Sequence, residues 1–334
     1  MIKVGIIGYG YWGPNLLRNF SSVKDCVVHT VVDSRMERLD LVKRNYGQIH
    51  ISSNAEDIFL NKEIDAVVIA TPVFTHFELA KRALEMDKHV LIEKPMTSSV
   101  AEAEGLIHLA EKQGKVLMVD HTFLYTGAVQ KMKRMIENNE IGNVKYFDST
   151  RINLGLFQPD VNVLWDLAPH DISILTYLID KKPKSVQATG ISHTKNNIEN
   201  IAYLTVNYDE DFIAHFNCSW TSPVKIRMML IGGDKKMLVY NDLEPTEKIK
   251  VYDTGYTYKS DDEKNKILVD YRAGDIYIPK LETKEALAGM AADFISSIEL
   301  GSVPISNYQS GLDVIKILEA AQKSIKEKGK AISV

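Results

Sequence analysis

The sequence predicts two domains: an α/β domain with a doubly wound parallel sheet of Rossmann type, then an α+β domain. Three observations predict this. Short apolar strands alternate with helical stretches over the first 121 residues. Beyond them, most segments alternate apolar and polar residues in the strand manner. And 334 residues are too many for one ordinary core.

The elements follow in order. Lys3 to Gly8 reads as a buried strand, and Asn15 to Phe20 as a helix after a glycine-rich turn. Val27 to Val32 is a β-branched run closed by Asp33, and Met36 to Tyr46 has helical periodicity. Asp65 to Ala70, His89 to Ile92 and Val116 to Val119 are further buried strands. They alternate with helices at Phe74 to Met86 and Val100 to Gln113. Such βαβ units cross over right-handedly, which makes the sheet parallel and doubly wound.

Near His121 the pattern changes, so the domains are 1–121 and 122–334. A helix at Ala128 to Asn138 precedes strands at Val144 to Ile152, Ser185 to Ile191, Ile201 to Tyr208, Phe212 to Trp220, Lys225 to Gly232 and Lys236 to Tyr240. Ala168 to Ile179 reads as a helix entered by Pro169, and Thr254 to Lys266 as an exposed polar loop. Helices at Glu285 to Glu299 and Gly311 to Lys328 close the chain, and the last of them is free to pack back on the first domain.

Composition excludes some classes of function. A net charge of −4 gives no electrostatic case for nucleic acid or an anionic membrane surface. Cys26 and Cys218 provide neither a disulfide framework nor a zinc motif, which fits a reducing, cytoplasmic setting. No apolar run approaches the ~20 residues of a membrane helix.

Gly8-Tyr9-Gly10-Tyr11-Trp12-Gly13 is a G-x-G-x-x-G turn between strand and helix. Its glycines suit a tight turn, close approach of backbone to a pyrophosphate, and packing of helix on strand. Asp33 ends the second strand twenty residues after Gly13, where a carboxylate accepts bonds from the ribose hydroxyls of NAD. Ser34 and Arg35 follow it, and an Arg there can also reach a 2′-phosphate. NAD is the expected cofactor, with NADP left open.

Ala70-Thr71-Pro72 and Glu93-Lys94-Pro95 follow the third and fourth strands, at the sheet edge where ligands of α/β folds sit. Lys94 there can polarise a hydroxyl or carbonyl oxygen, although a surface Lys in a turn reads the same way. His76 either lines the nicotinamide pocket or lies on a helix surface. Asp166 and His170 are four residues apart and share a helix face. An imidazole takes a hydroxyl proton near neutral pH, and a nearby carboxylate can orient it. Asp166 reads equally as a helix N-cap, and no metal-ligand spacing is evident. Tyr146, Phe147 and Phe216 alternate within strands and read as core.

Together, Gly8-x-Gly10-x-x-Gly13, Ala70-Thr71-Pro72 with His76, Glu93-Lys94-Pro95 and Asp166-x-x-x-His170 resemble the Gfo/Idh/MocA oxidoreductases over essentially the whole chain. The resemblance implies a second domain with a large, open, mostly antiparallel sheet, one face of which serves a homodimer or homotetramer. It implies Lys94 and His170 as the catalytic pair, with Asp166 contacting substrate or orienting the site. It implies cofactor contacts from Gly8 to Gly13, Asp33 to Arg35, Thr71, Pro72, His76, Glu93 and Lys94.

Trp165-Asp166-Leu167-Ala168-Pro169-His170-Asp171 looks like the branch acting at C3 of UDP-N-acetylglucosamine or its uronate. Arg151, Asn153, Asn162 and Trp165, which flank the His170 segment, are the candidate substrate contacts, Arg151 either gripping a diphosphate or carboxylate or standing as an exposed strand residue. A dehydrogenase of a free polyol such as an inositol is the alternative. A non-catalytic NAD(H) sensor would typically have lost Lys94 or His170, and both are present.

Overall fold

The computed structural model of the chain describes residues 1–155, 157–209, 211–257 and 270–334. They form two compact units, Met1–Thr126 with Lys284–Lys316, and Gly127–Thr283 with Ile317–Val334. The first unit therefore runs past residue 121 and takes back a segment from late in the chain.

Six parallel strands make the first sheet: β1 (Ile2–Ile7), β2 (Cys26–Val32), β3 (His50–Ser52), β4 (Ala66–Ile69), β5 (His89–Glu93) and β6 (Leu117–Asp120). Their order is β3-β2-β1-β4-β5-β6. It reverses between β1 and β4, so the carboxyl ends of those strands border the crevice where such sheets bind ligands. β3 is absent from the sequence reading because three residues are too few to show a period.

Helices α1 (Gly13–Phe20), α2 (Met36–Asn45), α3 (Glu56–Phe59), α4 (His76–Glu85) and α5 (Val100–Gln113) connect the strands. α5 shows how local chemistry sets helix limits. The Ser99 hydroxyl accepts from the Glu102 N–H at 3.3 Å, the Glu102 carboxylate accepts from the Ser98 N–H at 3.0 Å, and Gly114 turns left-handed at φ 61°.

A returning helix, α8 (Ala286–Leu300), completes the core of this unit. Leu287, Met290, Ala291, Phe294 and Ile295 join Leu16, Leu17 and Phe20 in it. The Phe20 and Phe294 rings meet edge to face at 6.2 Å. Arg18 adds a forked bond to Glu285 at 3.0 and 2.5 Å.

The second unit is built on nine strands: β7 (Val144–Leu154), β8 (Pro183–Ile191), β9 (Ile201–Tyr208), β10 (Ile213–Ser219), β11 (Thr221–Gly233), β12 (Met237–Asn241), β13 (Ile249–Tyr252), β16 (Ile276–Tyr277) and β17 (Ile332–Ser333). Their order is β16-β13-β12-β11-β7-β10-β9-β8-β17, and the β7–β10 pair is parallel among otherwise antiparallel neighbours. A separate ribbon pairs β14 (Gly255–Thr257) with β15 (Asp270–Arg272). Of the polar loop expected at Thr254 to Lys266, residues 258–266 lie outside the described residues.

Alternation gives the large sheet a dry face. Phe147, Leu204, Val206, Ala214 and Phe216 are buried, with the Phe147 and Phe216 rings 5.7 Å apart. Two helices of this unit are α6 (Gly127–Glu137) and α7 (Val163–Leu178), and α7 packs against β7, β9 and β10. A last helix, α9 (Tyr308–Lys326), starts among residues of the first unit and ends among those of the second. No helix among the described residues is long and apolar enough to cross a membrane.

α7 corrects the sequence reading. It starts at Val163 rather than Ala168, and Pro169 lies inside it. Asn162 is the N-cap, its side-chain oxygen accepting from the N–H groups of Leu164 (3.1 Å) and Trp165 (3.2 Å). Pro169 removes one interior hydrogen bond, and an apolar helix packed on a sheet tolerates that loss.

Candidate active site

In the first unit, the glycine loop and the end of β2 are held together by one carboxylate. Asp33 is buried and accepts from the Tyr9 N–H at 2.7 Å and from the Arg35 N–H at 2.9 Å. Arg35 adds side-chain bonds at 3.0 Å from Nε and 3.2 Å from Nη2. Burial alone would raise this carboxyl, but the bonds from Arg35 and Tyr9 outweigh it and hold it below the usual carboxylate range.

The loop has room where a dinucleotide needs it. At Gly8, with φ +99°, a Cβ would lie 2.4 Å from the Ala70 carbonyl oxygen, and at Gly13 it would lie 2.4 Å from that of Gly8. At Gly10 its nearest neighbour would be Arg35 Nη2, 3.7 Å away. Gly8 and Gly13 thus serve the turn, while Gly10 is bare toward open space. The N-terminus of α1 carries no side-chain cap, as suits an anion-binding helix end. Tyr11 is 86% exposed and Trp12 meets it edge to face at 5.7 Å. These features fit a pyrophosphate on the loop and a ribose beside Asp33. Ser34 follows as an exposed residue.

Thr71, Pro72 and Lys94 stand where β4 and β5 end, as expected from the sequence. The Thr71 hydroxyl meets that of Thr75 at 2.7 Å. His76 is buried rather than exposed on its helix. Its Nδ1 contacts the Pro95 carbonyl at 3.0 Å and its Nε2 the Thr71 carbonyl at 2.8 Å. The ring thus braces the two strand-end loops instead of presenting a nitrogen to a ligand, and burial pushes its pKa down. Glu93, expected among the cofactor contacts, is buried and faces Asp120 at the end of β6. Beside it His121 is 1% exposed, and burial together with the Lys94 charge pushes its pKa down to about 3.

In the second unit, Asp166 and His170 lie on α7 one turn apart, both half-buried. Asp166 is not the N-cap. Its Oδ2 accepts from Trp220 Nε1 at 3.0 Å, which fixes the carboxylate's orientation.

Three of the substrate candidates have internal partners. Asn162 caps α7 and donates to Glu199 Oε2 at 3.0 Å and Gln322 Oε1 at 2.6 Å. Trp165 is buried in the core. Arg151 is 3% exposed, and its guanidinium engages Asp171 through Nε at 2.9 and 3.1 Å and Nη2 at 2.5 Å. The fork that a diphosphate would need is held inside the protein, because a buried guanidinium requires a carboxylate. Asn153 remains half-buried at the end of β7.

Sequence reasoning missed Asp120, His121, Asp171 and Trp220. Asp120-His121 directly follows the fifth apolar run, and strand-end position was the signal available. No three His, Cys, Asp or Glu side chains form a metal-type cluster among the described residues.

Residues 2–121 match the family described as "Oxidoreductase family, NAD-binding Rossmann fold", and residues 129–239 match the "GFO/IDH/MocA C-terminal domain". An uncharacterized oxidoreductase of Escherichia coli is 33% identical over 51% of each chain, so the match spans about half of that relative's length. The scyllo-inositol 2-dehydrogenase (NADP(+)) IolW of Bacillus subtilis is 26% identical over 98% of this chain and 94% of its own. The UDP-N-acetylglucosamine 3-dehydrogenase of Acidithiobacillus ferrooxidans is 29% identical over 62% of this chain and 64% of its own. Its solved structure superposes with a TM-score of 0.80 at 23% identity, covering 98% of each chain.

Proposed function

The chain belongs to the Gfo/Idh/MocA family of NAD(P)-binding oxidoreductases, and on that premise we propose that it moves a hydride between nicotinamide and a secondary alcohol carbon of a sugar. The observation that carries the cofactor half is Asp33 bonded to the glycine loop, a carboxylate set to accept ribose hydroxyls and to repel a 2′-phosphate. NAD is accordingly the favoured cofactor.

For the chemistry, Lys94 at the end of β5 donates to the reacting oxygen and stabilises its developing charge. His170 takes the hydroxyl proton in oxidation and returns it in reduction, and Asp166, held by Trp220, orients the site. The bound nicotinamide supplies the hydride acceptor at its C4. These roles rest on the motif resemblance and on the position of each residue within its own unit.

The sugar is most simply nucleotide-linked, from the Trp165-to-Asp171 run and the Acidithiobacillus relative. A free polyol is the second reading, favoured by a match to an inositol dehydrogenase over nearly the whole chain. On the exposed face of the large sheet, Tyr203 stacks on His215 at 6.4 Å, with Ile213 and Leu230 also outward. That face is the proposed seat of a homodimer or homotetramer.

The test is a fluorescence titration with NADH and then NADPH, followed by UDP-sugars and free polyols read at the reduced-nicotinamide band. Tighter NADH binding and turnover with one sugar class supports the reading and selects the substrate. NADH binding without turnover on any of them would favour a sensor. Undiminished turnover in Lys94→Ala would overturn the role of Lys94.

A further inference from the structure

Two acids meet where β5 and β6 end. Glu93 and Asp120 are register partners in this parallel pair, and both are buried. Each has one oxygen served by its own turn. The Lys94 N–H donates to Glu93 Oε2 at 3.1 Å, and the Thr122 hydroxyl donates to Asp120 Oδ1. Asp120 Oδ2 is buried and receives no N–H, nor any hydroxyl of Ser, Thr or Tyr, from the described residues. The Glu93 carboxyl lies within hydrogen-bond reach of Asp120.

Two ionised carboxylates in contact in a dry site repel each other, so one keeps its proton. Burial and the Asp120 charge hold Glu93 well above the usual range, and burial raises Asp120 as well. A proton on Glu93 shared with the Asp120 carboxyl gives the pair a donor and removes the repulsion. Of the neighbouring groups, Lys94 attracts both acids. His121 is buried and neutral. Tyr125 bonds Asp293 at 2.7 Å and keeps its proton, its pKa raised by burial. His76, also subject to the Lys94 charge, is buried between two carbonyls.

We propose that Glu93 and Asp120 form a carboxyl pair sharing one proton, and that its single negative charge is a counter-charge that positions Lys94. The pair are positioning residues acting through Lys94, and the proposal rests on the reading of Lys94 as the group that polarises the substrate oxygen.

The geometry makes the two acids unequal. In Glu93→Gln the amide donates to the Asp120 carboxylate as the protonated acid does, so the charge beside Lys94 is kept. In the double variant E93Q/D120N the charge is gone, and the Lys94 ammonium is no longer held beside the pair. The experiment is acetic-anhydride labelling of the full-length protein at one mildly alkaline pH, with Lys94 modification read by mass spectrometry. Expected are a wild-type labelling rate in E93Q and a severalfold faster rate in E93Q/D120N, where the Lys94 side chain is no longer held. The melting temperature and NADH titration report whether each variant is folded.

Infrared spectroscopy gives a second readout that does not need the double variant. Wild type at neutral pH should show a carboxylic-acid carbonyl band that E93Q lacks. Labelling of Lys94 in E93Q as fast as in the folded double variant would overturn the proposal. So would a wild-type rate in the double variant, or no acid band in wild type. Failure of the underlying reading looks different: Lys94→Met would keep turnover while the labelling pattern and the infrared band stayed as expected.

Discussion

Asp33 Oδ2 accepts a 2.7 Å hydrogen bond from the Tyr9 N–H, which ties the end of β2 to the glycine loop. The same carboxylate holds Arg35. Shaping the loop is therefore one part of its work, and the proposed function adds a second, receiving a ribose. Asp33→Ala should weaken NADH binding by about tenfold or more, the loss of a charge-assisted bond. Arg35→Ala should leave NADH binding near wild type and weaken NADPH binding. Fluorescence titration decides both, and unchanged NADH affinity in the Asp33 variant would refute the assignment.

Two glycines of one loop should fail in different ways. Gly8→Ala puts a methyl 2.4 Å from a backbone oxygen at a left-handed φ, so the melting temperature should fall with NADH binding. Gly10→Ala meets only the tip of Arg35, so the fold should survive while NADH affinity drops. Thermal scans with and without NADH separate the two. A Gly10→Ala variant that bound NADH normally would place the pyrophosphate elsewhere.

The Arg151–Asp171 pair should behave as a structural unit. Breaking a buried pair strands a charge and costs about 3–5 kcal/mol, while replacing both partners with apolar residues costs little. Arg151→Met should therefore destabilise severely, and adding Asp171→Leu should recover most of the loss in urea denaturation. If Arg151→Met instead kept full stability and lost only substrate affinity, Arg151 would be a substrate grip after all.

Acid sensitivity should come from neutral histidines, the half-buried His89 and the buried His121. The Val116 N–H donates to His89 Nδ1 at 3.0 Å, a bond only the unprotonated nitrogen accepts. Burial, helped by the Lys115 charge, pushes the His89 pKa down to about 4, and His121 goes to about 3. Below the ordinary value of about 6.5 the unfolded chain binds protons that the folded chain refuses. Stability should thus fall as pH drops from about 6.5 toward 4, by up to ~3 kcal/mol for His89. His89→Gln, whose amide oxygen can accept the same bond, should flatten that slope in denaturant titrations at several pH values. A slope equal to that of wild type would exclude His89.

Much of this molecule was legible because strand period, glycine spacing and strand-end acids are local signals. The parallel strands longer than three residues were visible as apolar runs, and Asp33 and Lys94 by their place after such runs. Local signals misled where a distant partner decides. Arg151 looks like an exposed grip until Asp171 is brought beneath it from a helix twenty residues on. His76 could not be assigned because its two carbonyl partners come from separate loops. Pro169 suggested a helix start, but Asn162 supplied a better cap upstream, and packing of α7 on the sheet outweighed the proline.

The return of α8 to the first unit carries a consequence for how the protein is made. Phe294 packs on Phe20 across nearly the full length of the chain, and Leu287, Met290 and Ile295 lie in the same core. During synthesis the six-stranded sheet is translated long before the helix that seals α1. The nascent nucleotide-binding half must wait with an apolar flank uncovered while the entire second sheet is produced. A protein truncated after Thr126 should for the same reason aggregate or recruit chaperones rather than fold as a free-standing dinucleotide binder.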